Sequence, residues 1–172
     1  MAADEADHEA PTLDQARRQL DRYGLDVDPQ AVLVAVRLIS AGSRLGRASE
    51  AHFARYGLST GRYGLLADLE DNDGEKSPSR LAADLGVSRA TITGLVDGLE
   101  QDGLVVRRPS AEDGRGAVVV LTARGAQRLR DMAPEHFARL QDMVGELTVD
   151  ERAVFLDLLS RVVRGISALT AD

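Results

Sequence analysis

The sequence predicts a mostly α-helical chain carrying one small β-hairpin, an α+β fold class. Three observations predict it. Apolar residues recur at helical spacing between recognisable caps through most of the chain. Two of these helical stretches are joined by only a short turn at Gly86. Two β-branched runs, "LVVRR" and "AVVVL", flank the loop "PSAEDGRG", whose glycines suit a hairpin turn.

Residues 1–10, "MAADEADHEA", are acidic and read as a disordered tail. Thr12-Leu-Asp-Gln15 fits a capping box, and Leu13, Ala16, Leu20 and Tyr23 follow at helical spacing until Gly24 stops the helix. Asp28 as N-cap and Pro29 at the first helical position start a longer helix, expected to reach Tyr56 with Gly57 closing it. Leu33, Val36, Ile39 and Leu45 form its apolar stripe. Gly42 and Gly46 inside it each cost roughly 1 kcal/mol against alanine and mark either close packing or a bend. A helix over residues 59–69 leads into a polar loop in which "DNDG" lacks the ligand spacing of a calcium site and reads as a turn.

Ser77 and Pro78 open a short helix with Leu81 and Leu85 inward, and Gly86 breaks it. Ser88 caps the next, in which Ile92, Leu95, Val96 and Leu99 form a buried stripe until Gly103. After the hairpin, Thr122 caps a helix expected to reach Glu146, with an interruption near Ala133 caused by Pro134. Thr148-Val-Asp-Glu151 is a second capping box. It opens a final helix with Phe155, Leu158, Leu159, Val162, Val163 and Ile166 along one side.

At 172 residues and 44% hydrophobic, the chain can bury a core in one or two domains. Its formal net charge is −7, so any nucleic-acid binding has to come from local placement of basic groups. The absence of cysteine excludes disulfides, thiol nucleophiles and cysteine-based metal sites. The N-terminus lacks the pattern of a signal peptide, and the longest strictly apolar run, Ala31–Val36, is too short to span a bilayer. A cytoplasmic protein without a membrane partner is expected. Lys76 is the only lysine, and the wealth of arginine, alanine and glycine suits a GC-rich bacterial source.

The paired helices around Gly86 form a helix-turn-helix pattern, and the hairpin after them is a wing. A tight turn sets the second helix across the first and leaves Arg89, Thr91, Thr93 and Asp97 outward, the face that enters the major groove in DNA-binding versions. Ser79, Arg80, Ser88 and Arg89, at helix starts, suit phosphate contacts. Thr91 and Thr93 suit base edges or thymine methyls, and Arg89 also suits guanine. Asp97 would repel phosphate and is expected to pair with a neighbouring arginine. Arg115, between Gly114 and Gly116, is placed to reach a narrow minor groove.

The run Leu58 to Thr122 resembles the MarR family of bacterial winged-helix repressors in its order of helix, helix-turn-helix and wing. The stretch from Leu99-Glu100 through "DGLVVRRPSAEDGRGAVVVLTARG" is similar to the family pattern of Leu-Glu, Gly-Leu, paired Arg, Asp-x-Arg and Leu-Thr-x-x-Gly. The resemblance covers residues 28–168 and implies a homodimer with interlocked terminal helices, bound to a double-stranded operator. It adds Arg107 and Arg108 to the DNA-contacting set, with Asp113 orienting Arg115. The implied layout is an acidic tail and extra helix over 1–28, a helical dimerisation region over 29–57 and 123–172, and a winged helix-turn-helix domain over 58–122. Gly94 and Gly98 depart from the larger polar or basic residues frequent on this helix in the family.

The resemblance also implies release from DNA by a small organic effector, aromatic or anionic, with Arg37, Ser40, Arg44, His52 and Tyr63 as candidate contacts. The extra N-terminal helix is similar to that of the urate-responsive branch. The chain has no tryptophan, however, and carries Gly64 where that branch has an acid, so urate is not carried over. His8, His52 and His136 lie far apart and predict no metal site. No phosphate loop, HExxH or Gly-x-Ser-x-Gly motif occurs, so no cofactor or enzymatic activity is expected. The expected function is a homodimeric, ligand-released repressor on a pseudo-palindromic operator. Its rivals are a winged-helix module that binds protein without specific DNA binding, and a metal-responsive repressor.

Overall fold

The computed structural model describes residues 10–109, 116–169 and 171. The disordered tail expected over residues 1–10 lies almost wholly outside the described residues. Two compact units divide between Tyr63 and Gly64.

In the first unit, helix α1 (Leu13–Tyr23) is framed by the capping box expected of it. The Gln15 amide donates to the Thr12 hydroxyl at 3.2 Å, while the Thr12 amide donates to Gln15 Oε1 at 2.8 Å. Gly24 ends the helix at φ 63°, a left-handed position in which a side chain would be strained. Helix α2 (Pro29–Ala54) starts at Asp28, whose carboxylate accepts the Gln30 amide at 2.9 Å. Gly42 and Gly46 do not interrupt it, and a Cβ at either would meet nothing within 4 Å among the described residues, so packing among these does not require them.

Helix α3 (Thr60–Glu70) crosses the boundary between the units. Its first amide, on Thr60, donates at 2.9 Å to a carboxylate oxygen of Glu50 on α2. That hydrogen bond lowers the Glu50 pKa and caps a helix start from ten residues away. Phe53 is buried and stacks on Tyr63, ring centroids 4.2 Å apart.

The second unit is a small helical domain around a three-stranded antiparallel sheet in the order β1-β3-β2. The elements are β1 (Glu75–Lys76), α4 (Pro78–Asp84), α5 (Arg89–Gln101), β2 (Val105–Pro109), β3 (Ala117–Leu121), α6 (Ala123–Met143) and α7 (Val149–Arg164), closed by a 3-10 turn at Ile166–Leu169. Its core takes Leu65, Leu66 and Leu69 from α3, Leu81 from α4, and Ile92, Val96 and Leu99 from α5. Ala82, Leu104, Val105, Val119, Leu129 and Met132 complete it among the described residues.

The strand β1 lies in what the sequence reads as loop. Two residues carry no alternation to detect, yet Glu75 pairs with Val120 and Lys76 with Val119. The preceding "DNDG" is a turn, with Asp73 and Gly74 both at positive φ.

Two further features tie helices to the sheet. The Lys76 ammonium, its side chain only 9% exposed, binds both oxygens of Asp68 on α3 at 2.9 and 2.7 Å and Asp84 on α4 at 2.7 Å. Burial works to lower the Lys76 pKa, but these carboxylates outweigh it and raise it. Gly125, in the first turn of α6, sits where an added Cβ would collide with the Leu104 carbonyl oxygen and lie 2.7 Å from Leu121 Cδ1. The Leu-Thr-x-x-Gly spacing therefore reflects close passage of a helix over the sheet.

The interruption expected at Pro134 does not occur: α6 is one helix from Ala123 to Met143. Pro134 and Arg130 are both exposed, so water can satisfy the Arg130 carbonyl that proline deprives of a donor. Met132 and His136 are buried on either side of the proline and anchor the helix across it. The other end of the chain is different, because α7 has no buried residue. Phe155, Leu158, Val162 and Val163 are all exposed on it, as are Ile166 in the turn that follows and Val34, Val36, Ile39 and Leu45 on α2.

Candidate nucleic-acid interface

Helix α4, the turn at Gly86 and helix α5 form a helix-turn-helix whose first helix begins at Ser77, where the hydroxyl accepts the Arg80 amide at 3.4 Å. Ser79 and Arg80 are exposed in its first turn. Gly86 supplies the left-handed turn at φ 64°. Ser88 then caps α5, its hydroxyl accepting the Thr91 amide at 3.1 Å and sharing a 2.8 Å hydrogen bond with the Thr91 hydroxyl.

Helix α5 buries Ile92, Val96 and Leu99 and exposes Arg89, Ala90, Thr91, Thr93, Gly94 and Asp97. The predicted outward set is therefore gathered on one face, beside a hairpin of the expected kind. Strands β2 and β3 pair in antiparallel register from Val105↔Leu121 to Pro109↔Ala117. Asp113 and Arg115, the candidate minor-groove contact and its partner, lie outside the described residues.

The pairing expected for Asp97 is present, and its partner is Arg107. The Arg107 guanidinium bridges Asp97 and Glu100, both on α5, while the Arg107 amide donates to Glu100 at 2.9 Å. These hydrogen bonds lower the Glu100 pKa, and the bond to Asp97 leads in raising that of Arg107. Arg107 thus links the wing to α5 and offsets part of the negative charge of Asp97 and Glu100. Arg108, its neighbour on β2, is exposed.

Sequence reasoning missed Glu100, Lys76 and Glu50 as organising residues. Their partners sit seven to ten positions away and depend on how elements cross, which no local pattern encodes. The Leu-Glu and paired-Arg motifs did hold a signal, since Glu100 and Arg107 bond to each other.

Among the five candidate ligand residues, three come together. Arg37, Ser40 and Arg44 line one recess of about 210 Å³ with Ala10, Pro11 and Ala41, and Arg37 Nε donates to the Pro11 carbonyl at 3.0 Å. His52 and Tyr63 belong to an aromatic cluster around Phe53, with ring centroids 5.2 and 4.2 Å from it. Two helical turns, about 12 Å, separate Arg44 from His52 along α2. Among the described residues, no group of histidines and carboxylates could hold a metal ion, and no helix is long and apolar enough to cross a membrane.

Residues 56–116, the segment carrying this helix-turn-helix and most of the wing, match the MarR family. The chain is 33% identical over 143 residues to the HTH-type transcriptional repressor YetL of Bacillus subtilis, covering 83% of this chain and 86% of that protein. Among solved structures it is similar to Sco3205, a MarR family transcriptional regulator from Streptomyces coelicolor in complex with DNA (TM-score 0.75, 26% identity, 85% of this chain and 93% of that one). It is also similar to the PcaV transcriptional regulator of Streptomyces coelicolor in complex with its natural ligand (TM-score 0.63, 26% identity, 72% and 89%). On the buried and exposed faces of α5, the hairpin that follows it and these likenesses, the chain belongs to the MarR family of winged helix-turn-helix transcriptional regulators.

Proposed function

We propose that this regulator acts as a homodimeric repressor that binds a pseudo-palindromic operator and is released by a small organic anion. The observation that carries the reading is α5: its apolar face is buried in its own domain, so its outward face is available to DNA. Two such helices in a symmetric dimer meet half-sites roughly 10–10.5 bp apart, centre to centre. Arg80, Arg89 and Arg108, all exposed, supply phosphate contacts, with Ser79 and Ser88 beside them.

The dimer is supported by the exposed apolar faces of α2 and α7. Monomeric proteins rarely leave contiguous patches of this kind in water, and a second copy of the same faces covers them by two-fold symmetry. For the effector, the recess at Arg37, Ser40 and Arg44 offers cationic and hydroxyl donors suited to a carboxylate. Release requires that the ligand bind the DNA-incompetent state more tightly, with a coupling of about 1–3 kcal/mol.

The test is a titration of the protein against the intergenic DNA upstream of its own gene at several salt concentrations. A saturable site whose log K falls steeply with log salt supports the proposal; absent or salt-insensitive binding rejects it. In the same assay Arg115→Ala weakens binding several-fold and leaves the dimer intact, and unchanged affinity removes the wing-tip role.

A further inference from the structure

The polar groups on the outward face of α5 are largely engaged within the chain. The hydroxyls of Ser88 and Thr91 bond to each other, and Ser88 also caps the helix. The Thr93 hydroxyl turns back along the helix and donates to the Arg89 carbonyl at 3.0 Å. Asp97 is drawn aside by Arg107. With its proton committed to the backbone, Thr93 has no hydroxyl donor left for a partner and presents its methyl group beside the remaining oxygen lone pairs.

Beside it stands Gly94. Glycine in a helix interior is less favourable than alanine, a cost usually offset by tight packing or an unusual dihedral. Neither applies: Gly94 lies within a regular helix, and a Cβ there would meet nothing within 4 Å. Among the described residues, nothing needs this residue to be small. A partner that approaches the helix backbone closely does.

Ala90, one turn before Gly94, and Thr93 therefore frame a patch of methyl groups and bare backbone. In the major groove the one apolar group on a base edge is the C5-methyl of thymine. An acceptor edge such as guanine O6 or N7 pressed against the same patch loses its water without gaining a donor, which penalises it against a methyl group. We propose that α5 reads a thymine by methyl contact, with Thr93 as the reader and Gly94 admitting the base edge. This inference rests on the DNA-binding reading above and specifies what that face recognises.

The experiment uses a duplex enriched by the full-length protein from a random library. Each dT of the enriched site is replaced in turn by dU, which differs only in lacking the C5-methyl. Affinities are measured by fluorescence anisotropy for the wild type, Thr93→Val and Thr93→Ser, and the readout is each protein's own dT/dU ratio, from which any inactive fraction cancels. At one thymine in each half-site the wild type loses about fourfold, the worth of one buried methyl. Thr93→Val keeps that ratio and Thr93→Ser brings it close to one. The inference is overturned if no thymine is uracil-sensitive, if Thr93→Ser keeps the ratio, or if Thr93→Val loses it. Failure to enrich any sequence rejects the DNA-binding reading and this inference with it, whereas enrichment without a uracil-sensitive position rejects the thymine reading alone.

Discussion

Helices α5 and α7 belong to one unit and have opposite surfaces. Helix α5 buries Ile92, Val96 and Leu99 completely or nearly so and leaves polar and small residues outside. Helix α7 buries nothing, and Phe155 and Leu156 are 50% and 63% exposed on it. Both sequences are equally amphipathic to the eye, so periodicity alone does not say where an apolar stripe is to be buried. The comparison teaches that the first helix is finished by its own domain, and the second is not. A helix finished at home can offer its other face to DNA, while the unfinished one is the face that the proposed homodimer would cover.

Four changes break or sharpen that comparison. The largest effect is expected from Leu158→Glu, which puts a charge in the centre of the exposed α7 stripe. Sedimentation velocity should show monomers, and DNA affinity should fall about a hundredfold or more as binding at the second half-site is uncoupled from the first. The helix-turn-helix should stay folded by circular dichroism. Next is Gly125→Ala, which tests the claim that the winged unit is completed by close internal packing. The new Cβ meets the Leu104 carbonyl and Leu121, and urea unfolding should register a loss of about 1–3 kcal/mol.

Gly94→Ala should act with opposite signs on stability and function. With open space at that position, folding stability rises by about 0.5–1 kcal/mol in the same urea experiment. DNA affinity falls, because the added methyl stands where a base edge approaches. A variant that gains in both measurements would show that α5 does not meet its partner there.

The smallest effect concerns the Arg107 bridge. Hydrogen bonds from the Arg107 amide and guanidinium lower the folded-state pKa of Glu100. The ionised group therefore contributes stability above the ordinary glutamate pKa of about 4.3, and that contribution is lost as pH falls through the lower folded value. Glu100→Gln should flatten the acid limb of the stability profile below about pH 5 in chemical unfolding at a series of pH values. A limb that keeps its slope would assign the acid sensitivity to other carboxylates.

Much of the architecture was legible because it is written locally. The caps at Thr12, Asp28, Ser77, Ser88, Thr122 and Thr148 act over two or three residues, and each stands at the helix start the sequence indicates. What escaped depends on crossings between elements. The two residues of β1 become a strand only because β3 lies beside them. Lys76 gains its role only where α3 and α4 bring Asp68 and Asp84 together. Pro134 misled because the local penalty of proline was weighed without the burial of Met132 and His136 around it. At the candidate interface, the outward residues of α5 were legible from the 3.6-residue period, but the engagement of their hydroxyls was not. The expectation that Asp97 pairs with an arginine held, and only the fold identifies that arginine as Arg107.

The central claim is that two copies of α5, held by an interface on the terminal helices, read DNA half-sites one turn apart. It is tested most directly by lengthening the spacer of the enriched duplex by about 5 bp, half a helical turn, and then by a full turn. The half-turn insertion moves the second half-site to the opposite side of the duplex, and affinity should drop to that of an isolated half-site. Affinity that is unchanged by the half-turn insertion would contradict the account.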